Sequence, residues 1–347
     1  MIIRERRKLE LSYIPEKIPC REGEIEQLSV LIEGRKKALI SGEIGTGKTL
    51  LARHISKENV YVNCFINRSE HAILETIVSQ IKPNFNTAGL PSRKLWNQVD
   101  TNRIIILDEV EGILLEDMAH FLYTLSRLYE EGKTVRYIAI TRDADILRHM
   151  INDDATWSTF AEKAVVHLKP YTHEQIVQIL KYRADDALYP STFDNDILSL
   201  IADIALESRG HMRTAMDILK NAAIVAEKRR EESIIPETVR EANFDTSMEN
   251  IEILSRDEMI ALLSLAVVCK SKAYATIGEI KNVYRVRCEN YNLNPDETQL
   301  MKNLEGLERK SFIHKNAERY TILHSPASIL IKEIERVLDR NNNLKSK

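Results

Sequence analysis

The sequence predicts an α/β chain in three parts. A parallel five-stranded sheet covered on both faces comes first, then an all-helical segment, then a small α+β unit. Three observations predict this. Five short runs rich in Val and Ile alternate with helical patterns between residues 36 and 170, and such continuous apolar strands suit a sheet buried on both faces. The strand-like runs then stop, and three amphipathic helical patterns follow from Thr172. Beyond residue 255, three more helical patterns precede two short strand-like runs and a last helix.

In order, the strands are expected at "KALIS" (37–41), "VYVNC" (60–64), "RIIILDE" (103–109), "RYIAIT" (136–141) and "AVVHL" (164–168). Helical spacing fills Glu70–Ile81 and Asp117–Glu130 between them. The helical segment reads "THEQIVQILKYRADDAL", "DNDILSLIADIALESRG" and "MRTAMDILKNAAIVAEKRREE", with Gly210 as the stop signal of the second pattern. "SIIPETVREANFDTSMENIEIL" reads as a short helix and a linker. The last part carries helices at Arg256–Lys270, Ile277–Asn290 and Asp296–Lys310. "SFIHK", "RYTILHS" and a helix from Ser325 follow. Three helices and a short hairpin are the plan of a winged helix. The terminal "NNNLKSK" is expected to lack structure. Domain boundaries are expected at 1–171, 172–245 and 246–347.

Composition narrows the function classes. A chain of 347 residues suggests two or three domains. The 44% hydrophobic content supports sizeable cores, and 29% charge with few Gly and Pro suits a helix-rich soluble protein. No apolar run of about 18 residues is present, so no membrane span is expected. The N-terminus "MIIRERRKLELSY" lacks the apolar segment of a signal peptide. Cys20, Cys64, Cys269 and Cys288 form neither a CxxC pair nor a disulfide framework, as suits a reducing cytoplasmic location. The net charge of -3 does not advertise nucleic acid, although residues 251–347 carry a small basic surplus. The histidines are scattered and suggest no metal site.

One motif carries chemistry by itself. "GEIGTGKT" (42–49) fits G-x-x-x-x-G-K-[ST] between an expected strand and an expected helix. Gly42, Gly45 and Gly47 permit backbone angles that turn amide N–H groups inward. Those amides, from Gly45, Thr46, Gly47, Lys48, Thr49 and Leu50, make an anion-binding concavity at a helix N-terminus. Lys48 reaches the β- and γ-phosphates, and Thr49 offers its hydroxyl to Mg²⁺. The strand "IIILDE" supplies the acids. Asp108 is placed on the hydration shell of Mg²⁺, and Glu109 on the attacking water.

With these motifs the chain resembles the AAA+ ATPases, and among them the archaeal origin-recognition/cell-division-control replication initiators. "YIPEKIPCREGEIEQL" (13–28), "YVNC" (61–64), "IIILDEVEGIL", "LKPYTHEQIVQILKYRADDAL" (168–188) and "GHMRTAMDILKNAAIVAE" (210–227) carry the resemblance over nearly the whole chain. It implies an AAA+ P-loop NTPase core, a helical lid and a winged-helix DNA-binding domain. ATP or ADP with Mg²⁺ is the implied ligand. Pro19 and Arg21 are implied near the adenine. Tyr171 and Arg183 are implied to contact nucleotide, and Arg213 to read the γ-phosphate from the lid. A guanidinium on a hinged domain couples nucleotide state to domain angle.

Two departures stand out. The family ends its fourth strand in a polar sensor, usually Asn, where this chain has Thr141 and Arg142. Relatives carry an arginine that serves a neighbouring active site, where this chain has Ala155. Such a finger contributes roughly 10³–10⁵ in rate. The expectation is a slow ATPase, converting ATP and water to ADP and phosphate, with nucleotide acting mainly as a conformational ligand.

On the DNA side, a winged helix places its third helix in the major groove. Thr298, Gln299, Lys302, Asn303 and Arg309 are its expected exposed polar positions, and His314, Lys315 and Arg319 of the wing are expected on phosphates. Lys281, Arg285 and Arg287 add charge. Winged helices also mediate protein contacts, and Glu297, Glu305 and Glu308 keep that alternative open. The family's helical insertion, matched here by residues 69–99, is short. The expected function is ATP-dependent initiation at double-stranded origin DNA, with a replicative helicase and paralogous initiators as partners and no membrane. The alternatives are a nucleotide-locked DNA-binding regulator, or a clamp-loader-like or remodelling ATPase.

Overall fold

Each of the five apolar runs forms a strand in the computed structural model, which describes residues 1–128, 130–208, 210–244 and 251–345, without the side chains of 341–345. The chain divides into two compact units, Ile14–Tyr171 and Met1–Tyr13 with Thr172–Lys347.

In the first unit α1 (Glu22–Arg35), β1 (Lys37–Gly42), α2 (Lys48–Ile55), β2 (Asn59–Asn63), α3 (Glu70–Ile81), α4 (Ser92–Trp96) and β3 (Ile104–Asp108) follow in order. α5 (Leu115–Arg127), β4 (Arg136–Thr141), α6 (Ala144–Ile151), α7 (Asp154–Phe160) and β5 (Val165–Leu168) complete it. The strand order is β2-β3-β4-β1-β5, and every pairing is parallel. Period-two alternation divides the core. Ala38, Ile40, Ile106 and Ile138 face α1 and α2, with Leu28, Ile32 and Leu51. Leu39, Val62, Leu107 and Ala139 face the other way, onto Ile73, Phe121 and Leu147. All the strands therefore end at one edge. Gly42, Asn63, Asp108 and Thr141 are their last residues there, with Asn63 paired in register to Asp108.

The second unit holds α8 (His173–Ala187), α9 (Asn195–Glu207), α10 (Met212–Lys228), α11 (Pro236–Ala242), α12 (Arg256–Cys269), β6 (Ala275–Thr276), α13 (Ile277–Asn290), α14 (Glu297–Arg309), β7 (His314–Asn316), β8 (Arg319–Thr321) and α15 (Ala327–Lys345). β6, β8 and β7 form a small antiparallel sheet in that order. With α12, α13 and α14 this is the winged-helix plan. Capping boxes start three helices, Thr172 with Gln175, Ser255 with Glu258, and Thr276 with Glu279.

Three features differ from expectation. Residues 1–13 belong with the helical unit and not with the sheet. Ile2 and Leu9 are buried there, and the amides of Arg4 and Glu5 both donate to the Ala187 carbonyl. The helical segment and the C-terminal part form one compact unit instead of two. Arg240 of α11 is fully buried and joins them: it donates to the carbonyls of Cys269, Ala273 and Ile322 and to Thr321 Oγ1. Glu237, one turn earlier, accepts from the amides of Ala327 and Ser328 at the start of α15. Lastly, α15 continues to Lys345, so most of "NNNLKSK" is helical; Ser346 and Lys347, like 245–250 of the expected linker, lie outside the described residues.

Candidate nucleotide site and DNA-facing surface

β1 ends where α2 begins, and the loop between them is confined. A Cβ on Gly42 would meet the Leu168 carbonyl oxygen at 2.6 Å. Gly47 has φ +87°, in the left-handed region that favours glycine, and a Cβ there would lie 3.2 Å from Tyr171 Oη. Lys48 starts α2 and turns its ammonium back onto the carbonyls of Gly42 and Glu43. Burial pushes its pKa down, while Glu111 and then Asp108 oppose the shift. A cation held among carbonyls and acids at a helix N-terminus suits a phosphate chain.

The acids lie at the same edge. Asp108 is buried at the end of β3, and one of its oxygens, Oδ2, accepts from Thr49 Oγ1 at 2.8 Å and from Tyr61 Oη at 2.9 Å. Burial, reinforced by Asp108, pushes the Tyr61 phenol up to about 12. Thr49 and Asp108 are thus brought together as an Mg²⁺ site requires, a hydroxyl and a carboxylate as hard oxygen donors. Glu109 has φ 56° and ψ 54°, a left-handed conformation that costs a non-glycine residue about 1–3 kcal/mol. Its Oε2 accepts from Asn63 Nδ2 at 3.0 Å, and its Oε1 lies 3.4 Å from Arg142 Nη2.

Two residues implied by resemblance also reach the loop. Arg21 is buried, and it donates to Tyr171 Oη at 3.0 Å, to the Lys169 carbonyl at 2.6 Å and to the Thr46 carbonyl at 3.4 Å. Its guanidinium also stands 4.1 Å over the Tyr171 ring. Pro19, half-buried, precedes this arginine by two residues, and Leu50 lies one turn into α2, packed on the core. Arg183 corrects the expectation. Buried in the other unit, it donates to the carbonyls of Lys8 and Glu10 and stands 5.2 Å over Tyr13. Its side chain fastens the N-terminal segment and is not free for nucleotide. Arg213 is exposed near the start of α10.

In the C-terminal part, Leu300, Leu304 and Leu307 face the core, which leaves Thr298, Lys302 and Arg309 exposed on one stripe of α14. Asn303 falls on the core side and is buried, and Gln299 Nε2 donates to its Oδ1 at 2.9 Å, so neither side chain is free as expected. Lys281 and Arg285 both pair with Glu297, and Arg287 with Glu335. On the wing, Lys315 is exposed. Arg319 is engaged elsewhere: its Nη1 donates to both carboxylate oxygens of Asp196 of α9 at 3.0 and 3.1 Å, and its guanidinium covers the Tyr274 ring at 4.4 Å. Next to it Asp203 of α9, 3% exposed, accepts from Tyr274 Oη at 2.5 Å and Asn316 Nδ2 at 3.2 Å. His173 and His314 approach the same carboxylate at 3.1 and 3.6 Å. Arg319 and His314 therefore hold the wing to α9, which removes them from the phosphate-contacting set.

Comparison with known proteins fixes the family. Residues 38–157 match the model of the ATPase family associated with various cellular activities (AAA), and residues 177–244 match that of the Cdc6 AAA+ ATPase-type lid domain. The chain is 27% identical over 326 residues to the ORC1-type DNA replication protein 1 of Archaeoglobus fulgidus, covering 85% of this chain and 79% of that one. It belongs to the archaeal ORC1/Cdc6-type family of replication initiators. A second relative of this ORC1/Cdc6-type chain, the ORC1-type DNA replication protein 1 of Sulfurisphaera tokodaii, is 29% identical over 313 residues, 82% of this chain and 78% of that one. The crystal structure of Cdc6p from Pyrobaculum aerophilum superposes with a TM-score of 0.84 at 25% identity, over 98% of this chain and 100% of that one. The Aeropyrum pernix ORC1 protein in complex with DNA shares the fold, with a TM-score of 0.61 at 23% identity over 99% and 98% of the two chains.

Within this ORC1/Cdc6-type chain, the Thr141 hydroxyl is buried and donates to the Asp143 carbonyl. Ala155 is exposed on α7, with no side-chain charge to offer a neighbour. Sequence reasoning missed Tyr61, Asn63 and Glu111. The sequence marks Asn63 only as the polar last residue of an apolar strand; its place beside the strand that carries the acids comes from the pairing of β2 with β3.

Proposed function

We propose that this chain binds ATP or ADP with Mg²⁺ at the strand-end edge of its sheet and double-stranded origin DNA through its C-terminal part, as an initiator of replication. One observation supports the nucleotide half: Lys48, Thr49, Asp108 and Glu109 lie at one edge of the sheet, with Thr49 Oγ1 donating to Asp108 and Lys48 folded over the loop. Lys48 and the loop amides would hold the phosphates. Thr49 and Asp108 would hold Mg²⁺, which supplies charge neutralisation. Glu109 would orient a water, whose oxygen bonds to the γ-phosphorus as the bond to the bridging oxygen of ADP breaks. The water proton passes to Glu109. Arg21 and Tyr171 brace the loop from the adenine side, and Arg213 is the lid arginine in this scheme.

Lys302, Arg309, Lys315 and Thr298 are the DNA-facing set we assign. Helicase loading and pairing with paralogous initiators rest on family resemblance alone. A second reading, a nucleotide-locked regulator, is favoured by the contact between Arg142 and Glu109. Footprinting of the full chain on its own genomic DNA tests the DNA half. The expected result is protection at discrete sites with ATP and Mg²⁺. Uniform weak binding that disappears between about 50 and 200 mM salt would contradict it.

A further inference from the structure

Arg142 directly follows β4 and lies between two carboxylates. Its Nη2 is 3.4 Å from Glu109 Oε1 and its Nε 3.5 Å from Glu111 Oε1. Its backbone N–H donates to the same Glu111 oxygen at 3.2 Å, which fixes the root of the side chain. The guanidinium stands 5.6 Å over the Phe65 ring. Glu111 Oε2 is buried without a hydrogen-bond partner, Arg142 meets its Oε1, and the charge of Glu111 also acts on the loop lysine. Both oxygens of Glu109 are engaged, Oε1 by Arg142 and Oε2 by Asn63.

A general base needs a lone pair aimed at its water. A carboxylate whose two oxygens already face a guanidinium and an amide has no oxygen left free to aim. We propose that Arg142 is a positioning residue that bridges Glu109 to Glu111 and holds Glu109 away from the attacking water until a γ-phosphate draws the guanidinium off. The side chain of Arg142 is 51% exposed, so the exchange is cheap: an exposed pair changes an equilibrium constant by about fivefold at most. A γ-phosphate carries more charge than either acid and presents a face that matches the guanidinium. ADP lacks that group and leaves the bridge in place. The same arginine thus reports the third phosphate and restrains turnover, in a position where a neutral amide could do only the first.

This rests on the phosphate loop being an ATP site, and the test separates the two claims. ADP affinity is measured by titration calorimetry for the full chain with Arg142, with Arg142→Ala, with Arg142→Lys and with Arg142→Ala plus Glu109→Gln. Single-turnover hydrolysis of ATP with Mg²⁺ is followed over a range of protein concentrations, so that rate and half-saturation are read apart. ADP affinity should agree within about twofold in all four proteins. The maximal rate should rise about three- to fivefold in Arg142→Ala, with weaker half-saturation by ATP, and Arg142→Lys should fall between. The gain should vanish with Glu109→Gln. Glu111→Gln, which removes one side of the bridge and keeps the arginine, should also raise the rate. An unchanged or lower rate in both Arg142→Ala and Glu111→Gln, with ADP binding intact, would overturn the brake. So would a gain that survives Glu109→Gln. Absence of ADP binding by the unaltered protein would instead remove the nucleotide site, and the brake with it.

Discussion

The strand-end edge of the sheet and the wing of the C-terminal part were read from the same sequence with opposite results. At the sheet edge, the expected side chains converge: Thr49 donates to Asp108, and Lys48 folds over its own loop. On the wing, two expected DNA contacts are already bound within the chain, Arg319 to Asp196 and His314 against Asp203. The difference lies in how each site is built. The phosphate loop is one contiguous turn whose geometry the glycines and the following helix dictate. The wing is a short hairpin whose side chains take the nearest opposite charge, and that charge lies more than a hundred residues away on α9.

This contrast can be broken most forcefully at Arg240, which joins the helical segment to the winged helix. Arg240→Met removes the guanidinium donor from the buried carbonyls of Cys269, Ala273 and Ile322 and from Thr321 Oγ1, and only the Ala273 carbonyl keeps a short bond, from Thr321 Oγ1. The expected loss is about 3–5 kcal/mol, read as a lowered denaturant midpoint; a variant of unchanged stability would refute the joint. Next in size is Asp203→Ala. It removes the buried acceptor shared by Tyr274 and Asn316 and should cost about 2–4 kcal/mol.

DNA affinity sharpens the comparison at smaller scale. Lys302→Ala with Arg309→Ala should weaken duplex binding and reduce the slope of log affinity against log salt by about two, one for each phosphate left without its cation. Arg319→Ala alone should leave that slope nearly unchanged, because its charge is already paired. The reverse pattern would return Arg319 to the DNA-facing set.

The smallest expected effect is on pH. The Asp203 carboxylate 3.6 Å away raises the His314 pKa above its ordinary value, although burial opposes it, and Glu207 and Glu308 add to the rise. A raised folded pKa stabilises fully below the unfolded value of about 6.5 and is lost as pH climbs through the folded one. For Asp203, burial pushes up, but the nearby His314 and the bonds from Tyr274 and Asn316 outweigh it and the net shift is down. That contribution is present above about 3.9 and lost as pH falls through the lower folded pKa. The wing contact is thus strongest between these limits. Thermal melts should show a mild loss of stability above about pH 6.5 that His314→Ala abolishes; an identical profile in the variant would deny the histidine this role.

The sheet was legible because each strand is a short apolar run and the phosphate loop is a local motif. Asn63 and Tyr61 were not singled out, because they reach the acids through the pairing of β2 with β3, a neighbour relation that spacing along one strand does not reveal. Arg183 shows the limit of residue-by-residue transfer: its position matched the family pattern, but its guanidinium binds the carbonyls of Lys8 and Glu10. Nor does an arginine within a short helix such as Arg240 distinguish itself in sequence from a solvated one. Only the burial of its partners from residues 269 to 322 does so.

The most direct test of the account is nucleotide titration of the full chain with and without Lys48→Ala, in the presence of Mg²⁺. Loss of a charged hydrogen bond to phosphate should weaken ADP binding by about 1.5–3 kcal/mol, or roughly 10- to 150-fold, while the fold and the melting temperature are retained. Equal affinity in the two proteins would place the nucleotide away from the strand-end edge and contradict the account.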